Sequence, residues 1–290
     1  MYSLNALNVV KLLTIWVFLL ISSVDVGAAS KKGLQPQLAI SPSRIVLESD
    51  EVNATKSVTV LNLGSKPMQV EVSVQNWDFD EDNNYRALPP TPQSLDQWLI
   101  INPVRLTIPA KGQQTVRMAV RPKAKPEEGE HRAMVFFKQL RAKEAKGVNV
   151  LFNVGVPVYA FFGDVKREAA VHSMTFNKEN HTFNFDITSS GNAYVRPEGF
   201  YMIVDADEAT EQEILQRLNG ENGEVKGDKP FASGKVTSKP VFAGERRKVE
   251  AAITLKEDIK KALSSQYALA VKIDVAGTLF EKVYYIQQDK

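Results

Sequence analysis

From Leu38 onward, apolar and polar residues alternate with a period of two along much of the chain. Val70, Val72 and Val74 alternate with Glu71, Ser73 and Gln75, and Val116, Met118 and Val120 alternate with Arg117, Ala119 and Arg121. Successive side chains of a strand point to opposite faces, so this pattern predicts strands with one buried face. Further strand-like runs occupy 58–61, 99–108 (broken by Pro103), 133–140 and 150–162. Turn clusters such as Asn62-Leu63-Gly64-Ser65-Lys66-Pro67 separate them, and helical patterning is nearly absent from the first half. Short strands with frequent turn signals predict a β-sandwich.

Phe161-Phe162-Gly163-Asp164 closes this first unit, and Lys166 to Glu168 reads as a short polar link. A second β-rich unit follows. Residues 182–188 alternate, 199–204 are largely apolar, and 267–275 with 279–286 predict a closing hairpin around Ala276-Gly277. Two charged stretches, 208–218 and 255–263, carry helical character; the first places Ile214, Leu215 and Leu218 on one face. They predict short helical insertions.

The first residues follow a different logic. A polar start with Lys11 precedes the apolar run Leu12 to Ile21 and then Val26-Gly27-Ala28-Ala29. This layout predicts a cleavable secretory signal over residues 1–29. The run is shorter than the ~20 residues needed to span a bilayer, and no second long apolar run occurs, so no membrane insertion of the mature chain is expected. The expected organisation is a signal peptide at 1–29, one domain at 30–164 and another at 165–290.

Composition removes several chemistries. The chain has no cysteine, which excludes disulfides, thiolate metal sites and cysteine nucleophiles. The 36 basic and 34 acidic residues leave no strong footprint for nucleic acid; the basic clusters at 117–125 and 141–146 read as solvated loops and edge strands. The three histidines are not spaced for a metal, and His131 reads as structural. Asp78, Asp80 and Asp82 alternate as a calcium loop begins, but Asn83 stands where glycine is needed and Pro89 where the closing glutamate belongs. The segment is read as a strand-connecting loop. No nucleophile elbow or phosphate loop occurs. The sequons at Asn53 and Asn180 are read as chance matches. No catalytic residue, metal or cofactor is expected.

Four segments in order resemble the PapD-like periplasmic pilus chaperones of the chaperone–usher pathway. They are Ile40-Ser41-Pro42-Ser43-Arg44-Ile45-Val46-Leu47; Val58-Thr59-Val60-Leu61-Asn62 with its turn and the strand ending at Trp77; Ile108 to Arg117 followed by Glu130 to Phe137; and 149–162. The third is the most specific, with Gln114-Thr115-Val116-Arg117 and an Arg132…Phe137 strand. The resemblance covers roughly residues 38–162. It implies an all-β protein of two immunoglobulin-like β-sandwich domains, the second inferred from position and carrying the helical insertions. It also implies a periplasmic location, a pilus subunit and an outer-membrane usher as partners, and no enzyme activity. An exported two-domain structural or adhesive surface protein is the alternative reading.

The resemblance further implies donor-strand complementation, in which an incomplete subunit receives a strand from the chaperone. Val150, Phe152, Val154 and Val156 share one face of the candidate donor strand. Burying four such side chains contributes roughly 6–12 kcal/mol gross, before ordering costs. Pro157 lacks an N–H, so ladder pairing is expected to be interrupted there. An ordinary core strand of the protein's own sandwich shows the same alternation. Arg44 matches the family's cleft arginine, whose guanidinium grips the subunit's terminal carboxylate; a structural salt bridge is the other reading. The second anchor of the family, a lysine, is missing between Asn149 and Asp164. Either another basic residue substitutes, or Arg44 works with a hydroxyl such as that of Tyr159.

Overall fold

The computed structural model describes residues 37–52, 54–141, 150–206, 210–218, 223–253 and 266–287. The expected signal peptide, most of the basic cluster at 141–146, Asn149 and the helical stretch at 255–263 lie outside the described residues.

The first lobe contains β1 (Leu38–Ser41), β2 (Ile45–Leu47), β3 (Thr55–Asn62), β4 (Met68–Phe79), β5 (Tyr85–Leu88), β6 (Leu99–Asn102), β7 (Arg105–Ile108), β8 (Gln113–Val120), β9 (Gly129–Gln139) and β10 (Asn153–Phe162). One sheet runs β1-β3-β8-β6; the other runs β2-β10-β9-β4-β5, with β7 also on β4. The alternation at 70–74 and 116–120 has the expected cause: Val70, Val72, Val116, Met118 and Val120 meet Val135, Phe137 and Val158 between the two sheets. Pro103 separates β6 from β7, and the two strands join different sheets. The opening strand also changes sheets. β1 pairs with β3, whereas β2 pairs in parallel with β10, so Pro42-Ser43-Arg44 crosses the edge of the sandwich. This crossing places Arg44.

The second lobe contains β11 (Ala169–Asn177), β12 (Thr182–Ser189), β13 (Glu198–Asp205), α1 (Glu211–Arg217), β14 (Ala232–Thr237), β15 (Arg246–Ala252), β16 (Gln266–Val275) and β17 (Thr278–Gln287). Sheets β11-β12-β15 and β14-β13-β16-β17 enclose Phe183, Phe185, Ile187, Ile203, Leu269 and Val271. The closing hairpin is as expected. Ala276 (φ 51°) and Gly277 (φ 85°) supply the two left-handed residues that a tight two-residue turn requires. The charged stretch at 208–218 yields α1, started by a capping box between Thr210 and Glu213. Ile214 and Leu218 bury against Met202, Val204, Ala268, Ala270 and Val283, covering the outer face of the second sheet.

Two expectations change. The strand expected from Val150 begins at Asn153. Its partner explains this: β9 ends at Gln139, whose N–H donates to the Phe152 carbonyl (2.8 Å), while Leu140 donates to Gln69. Val150 and Leu151 therefore have no strand beside them among the described residues. The interruption expected at Pro157 is also absent toward β9, where the register runs unbroken through Val156↔Val135, Pro157↔Met134 and Val158↔Ala133. Pairing of β10's other edge, in contrast, begins only at Val158. A proline removes a ladder bond only on the edge its nitrogen faces.

Candidate functional site

The first element of the site is this half-open strand. One edge of β10 pairs with β9 along its whole length, from Asn153 to Phe162. Among the described residues, the opposite edge pairs only with β2, at Val158↔Ile45, Tyr159↔Val46 and Ala160↔Leu47. Among the described residues, backbone from Asn153 to Pro157 thus presents an unpaired edge. Burial falls steadily along the candidate donor face toward that open end. Val156 is 1% exposed and part of the lobe's own core, Val154 and Phe152 are half-buried at its rim, and Val150 is 51% exposed. The outer face is flat at Gly155, where a Cβ would stand 2.9 Å from the Met134 sulfur and 3.2 Å from the Phe136 ring. Those two side chains lean over the glycine.

The second element is the junction between the lobes. Trp77, Phe79, Tyr159 and Phe161 from the first lobe enclose Ala193 and Phe242 from the second. The Phe242 ring stacks on Phe79 (5.4 Å, 8° between planes), meets Trp77 edge-on at 5.3 Å, and receives the Arg132 guanidinium 3.8 Å above its centroid. The loop expected to carry only strand-connecting duty, 80–84, also grips the second lobe. Arg247 donates to the carbonyls of Asp80 (2.6 Å) and Phe79 (2.8 Å), and Asn83 donates to the Lys248 carbonyl (2.8 Å). The Asp80 carboxylate accepts the N–H groups of Asp82 and Asn84, shaping the loop from within and lowering its pKa. No cluster suited to a metal ion occurs among the described residues. His131 is buried, with its ring nitrogens 2.7 Å and 3.0 Å from the Gln93 and Glu127 carbonyls, in a structural place.

Glu130 bridges the lobes. Its carboxylate accepts the Tyr194 N–H (2.6 Å) and a bond from Arg132 (3.2 Å). Burial nevertheless pushes its pKa above the usual carboxylate range, outweighing the pull of Arg132. A carboxyl raised in this way binds its proton more readily in the folded chain than in the unfolded one. Its contribution to stability is therefore greatest below the ordinary carboxylate pKa and declines as pH rises through the raised folded value. Thermal melts of wild type and Glu130→Gln between about pH 4 and pH 8 check this: wild type should lose stability relative to the variant as pH rises. An opposite slope would mean that the ion pair outweighs burial.

The third element is the cluster around Arg44, which lies one residue before β2 and therefore just beyond the open stretch of β10. Its guanidinium, in a side chain 34% exposed, stands 3.5 Å from the Glu198 carboxylate of the second lobe. Arg196 approaches the same oxygen at 3.8 Å through Nε, in a side chain only 14% exposed. Both separations exceed hydrogen-bond length, and the buried Arg196 Nε has no hydrogen-bond partner among the described residues. Burial first, then the neighbouring Arg44 charge, lowers the Arg196 pKa. Beside this cluster a cleft of about 340 Å³ is lined by Arg44, Glu198, Phe200, Lys235, Lys272 and Leu279. Tyr159, named with Arg44 from the sequence, is 1% exposed and packs 4.7 Å from the Tyr194 ring; burial and the Glu130 charge raise its pKa. Arg196, Glu198 and Tyr194 went unnoticed in the sequence. The signal available was their period-two spacing around Val195, which only the fold sets opposite Arg44.

Residues 37–159 match the family model described as the pili and flagellar-assembly chaperone, PapD N-terminal domain. The match spans most of the first lobe, which is similar to that domain. No curated protein matches the chain. Similar solved structures include the YadV chaperone, with 11% identity over 87% of this chain and 100% of that one (TM-score 0.43). A CsuC–CsuE chaperone–tip adhesion subunit pre-assembly complex from Acinetobacter baumannii shows 12% identity over 88% and 100% (TM-score 0.43). The Salmonella enterica SafA pilin in complex with the SafB chaperone shows 10% over 88% and 97% (TM-score 0.42). Among the described residues, no helix is long and apolar enough to cross a membrane.

Proposed function

We propose that this protein is a periplasmic chaperone that captures a pilus subunit through the open edge of β10, anchors the subunit's terminal carboxylate at Arg44, and passes it to an outer-membrane usher. The observation that carries the reading is the continuity of these parts. The unpaired edge at 153–157 runs directly into Arg44, because β2 takes over the edge at Val158↔Ile45. A guest strand laid along that edge ends against the arginine. Only a guest running parallel to β10, as β2 does, brings its C-terminal carboxylate there. The half-buried Phe152 and Val154, with exposed Val150, then supply the apolar contacts at the donor end. Val156 stays with the protein's own core, and Tyr159 forms the packed floor beside the anchor. An open edge attracts non-specific pairing; a carboxylate contact at one end selects a chain terminus and sets register.

The test uses the full-length chain co-expressed with a pilus subunit and recovered from the periplasm. Arg44→Ala should reduce co-purified subunit about tenfold, the loss expected for one charge-assisted contact, with little change in melting temperature. Undiminished capture by Arg44→Ala would remove the anchor from the reading.

A further inference from the structure

The site around Glu198 is electrostatically incomplete. Two guanidinium groups, one from each lobe, share a single carboxylate, and neither sits within hydrogen-bond distance of it. A buried guanidinium N–H without a hydrogen bond is costly, and among the described residues the Arg196 Nε is in that state. Arg44 and Arg196 also repel each other, so the pair holds a positive charge in excess of what Glu198 neutralises. A second carboxylate entering between them relieves both faults: it brings the missing negative charge and a lone pair for the unpartnered Arg196 N–H. Glu198 is half-exposed and loosely held, so it can turn outward as the guest arrives.

We propose that Arg196 is a direct ligand of the captured polypeptide's terminal carboxylate, completing with Arg44 a clamp split between the two lobes, and that Glu198 occupies this clamp in the free protein. The proposal rests on the reading of Arg44 as the anchor. It assigns the second cation to the second lobe, where β10 offers no lysine. Recognition of the guest's end then requires both lobes in their observed relation, which the Phe242 and Glu130 contacts maintain.

The experiment measures binding of a short fluorescein-labelled peptide of alternating valine and serine to the full chain by anisotropy. The peptide is made once with a free C-terminal carboxylate and once as the amide. Wild type should prefer the acid about tenfold or more. Arg44→Ala and Arg196→Gln should each abolish most of that preference, and Arg196→Lys should retain part of it. Glu198→Gln should tighten binding of the acid about threefold and leave the amide unchanged. If Arg196→Gln keeps the full preference while Arg44→Ala loses it, the inference fails and the Arg44 anchor stands. If Arg44→Ala keeps the preference, or wild type never shows one, the anchor itself fails and the inference falls with it. Should Arg196→Gln not fold, Glu198→Gln decides: unchanged or weaker binding of the acid overturns the inference.

Discussion

Phe152→Asp is expected to abolish subunit capture and leave the free protein folded, whereas Val156→Asp, on the same face, is expected to unfold the first lobe. The difference lies in burial. Val156 is enclosed with Val135, Val158 and Phe137 in the lobe's own core. A carboxylate there has no partner and loses its hydration, a cost of several kcal/mol that rivals the whole stability of a domain. Phe152 packs only partly against that core, at the point where β9 ends, so an aspartate can turn to water. The free protein then gives up part of one apolar side chain's burial, about 1–2 kcal/mol. In the complex the same aspartate faces an apolar groove of the guest, and its desolvation lowers affinity tenfold for about every 1.4 kcal/mol it costs. Co-purification of the subunit reads the first effect; urea unfolding followed by tryptophan fluorescence reads the second. Normal capture by Phe152→Asp would end the strand-donation reading, and wild-type stability of Val156→Asp would contradict the burial of that residue.

The same pair of positions shows what alternation along a sequence conveys. The period of two correctly identifies β4 and β8, because 68–72 and 116–120 turn one face into a core; β16 is found as an apolar run, buried on both faces. The period also groups Val150, Phe152, Val154 and Val156. It says nothing about how burial changes along that face, because burial depends on where β9 stops and where β2 begins. Arg44 is legible through its place in the opening strand, but its neighbours are not. Arg196 and Glu198 lie more than 150 positions away (152 and 154 by subtraction) and meet Arg44 only because the opening strand changes sheets at 42–44 and the lobes dock. The interlobe cluster is hidden for the same reason. Phe242 sits beside a polar turn, with no periodic pattern around it, and its partners Trp77 and Phe79 belong to a strand whose alternation is explained within the first lobe. Local pattern thus reveals faces, and the contacts that join faces of different lobes stay silent in it.

Phe242→Ala is expected to cost about 3–5 kcal/mol, the range for emptying a buried phenylalanine site, and to weaken the union of the lobes more than either sandwich. The ring is 1% exposed, yet it belongs to neither sandwich core; its ring and cation contacts include Trp77, Phe79 and the Arg132 guanidinium of the first lobe. The aromatic pairs add about 0.5–1.5 kcal/mol each beyond the area they bury. With the ring gone, Arg132 loses its aromatic platform, and the Trp77 indole N–H, already buried without a hydrogen-bond partner among the described residues, gains access to water. Two observables follow: a red shift of Trp77 emission, and faster proteolysis of the link at 164–168 under conditions where both sandwiches remain folded. Phe242→Leu, which keeps most of the volume and loses the ring, should fall between the two. Because Arg44 meets Glu198 only while the lobes stay docked, Phe242→Ala should also weaken capture without touching the clamp or the donor strand. If the variant melts like wild type, or if its capture is unimpaired while the link becomes cleavable, then the relation between the lobes does not govern recognition of the guest.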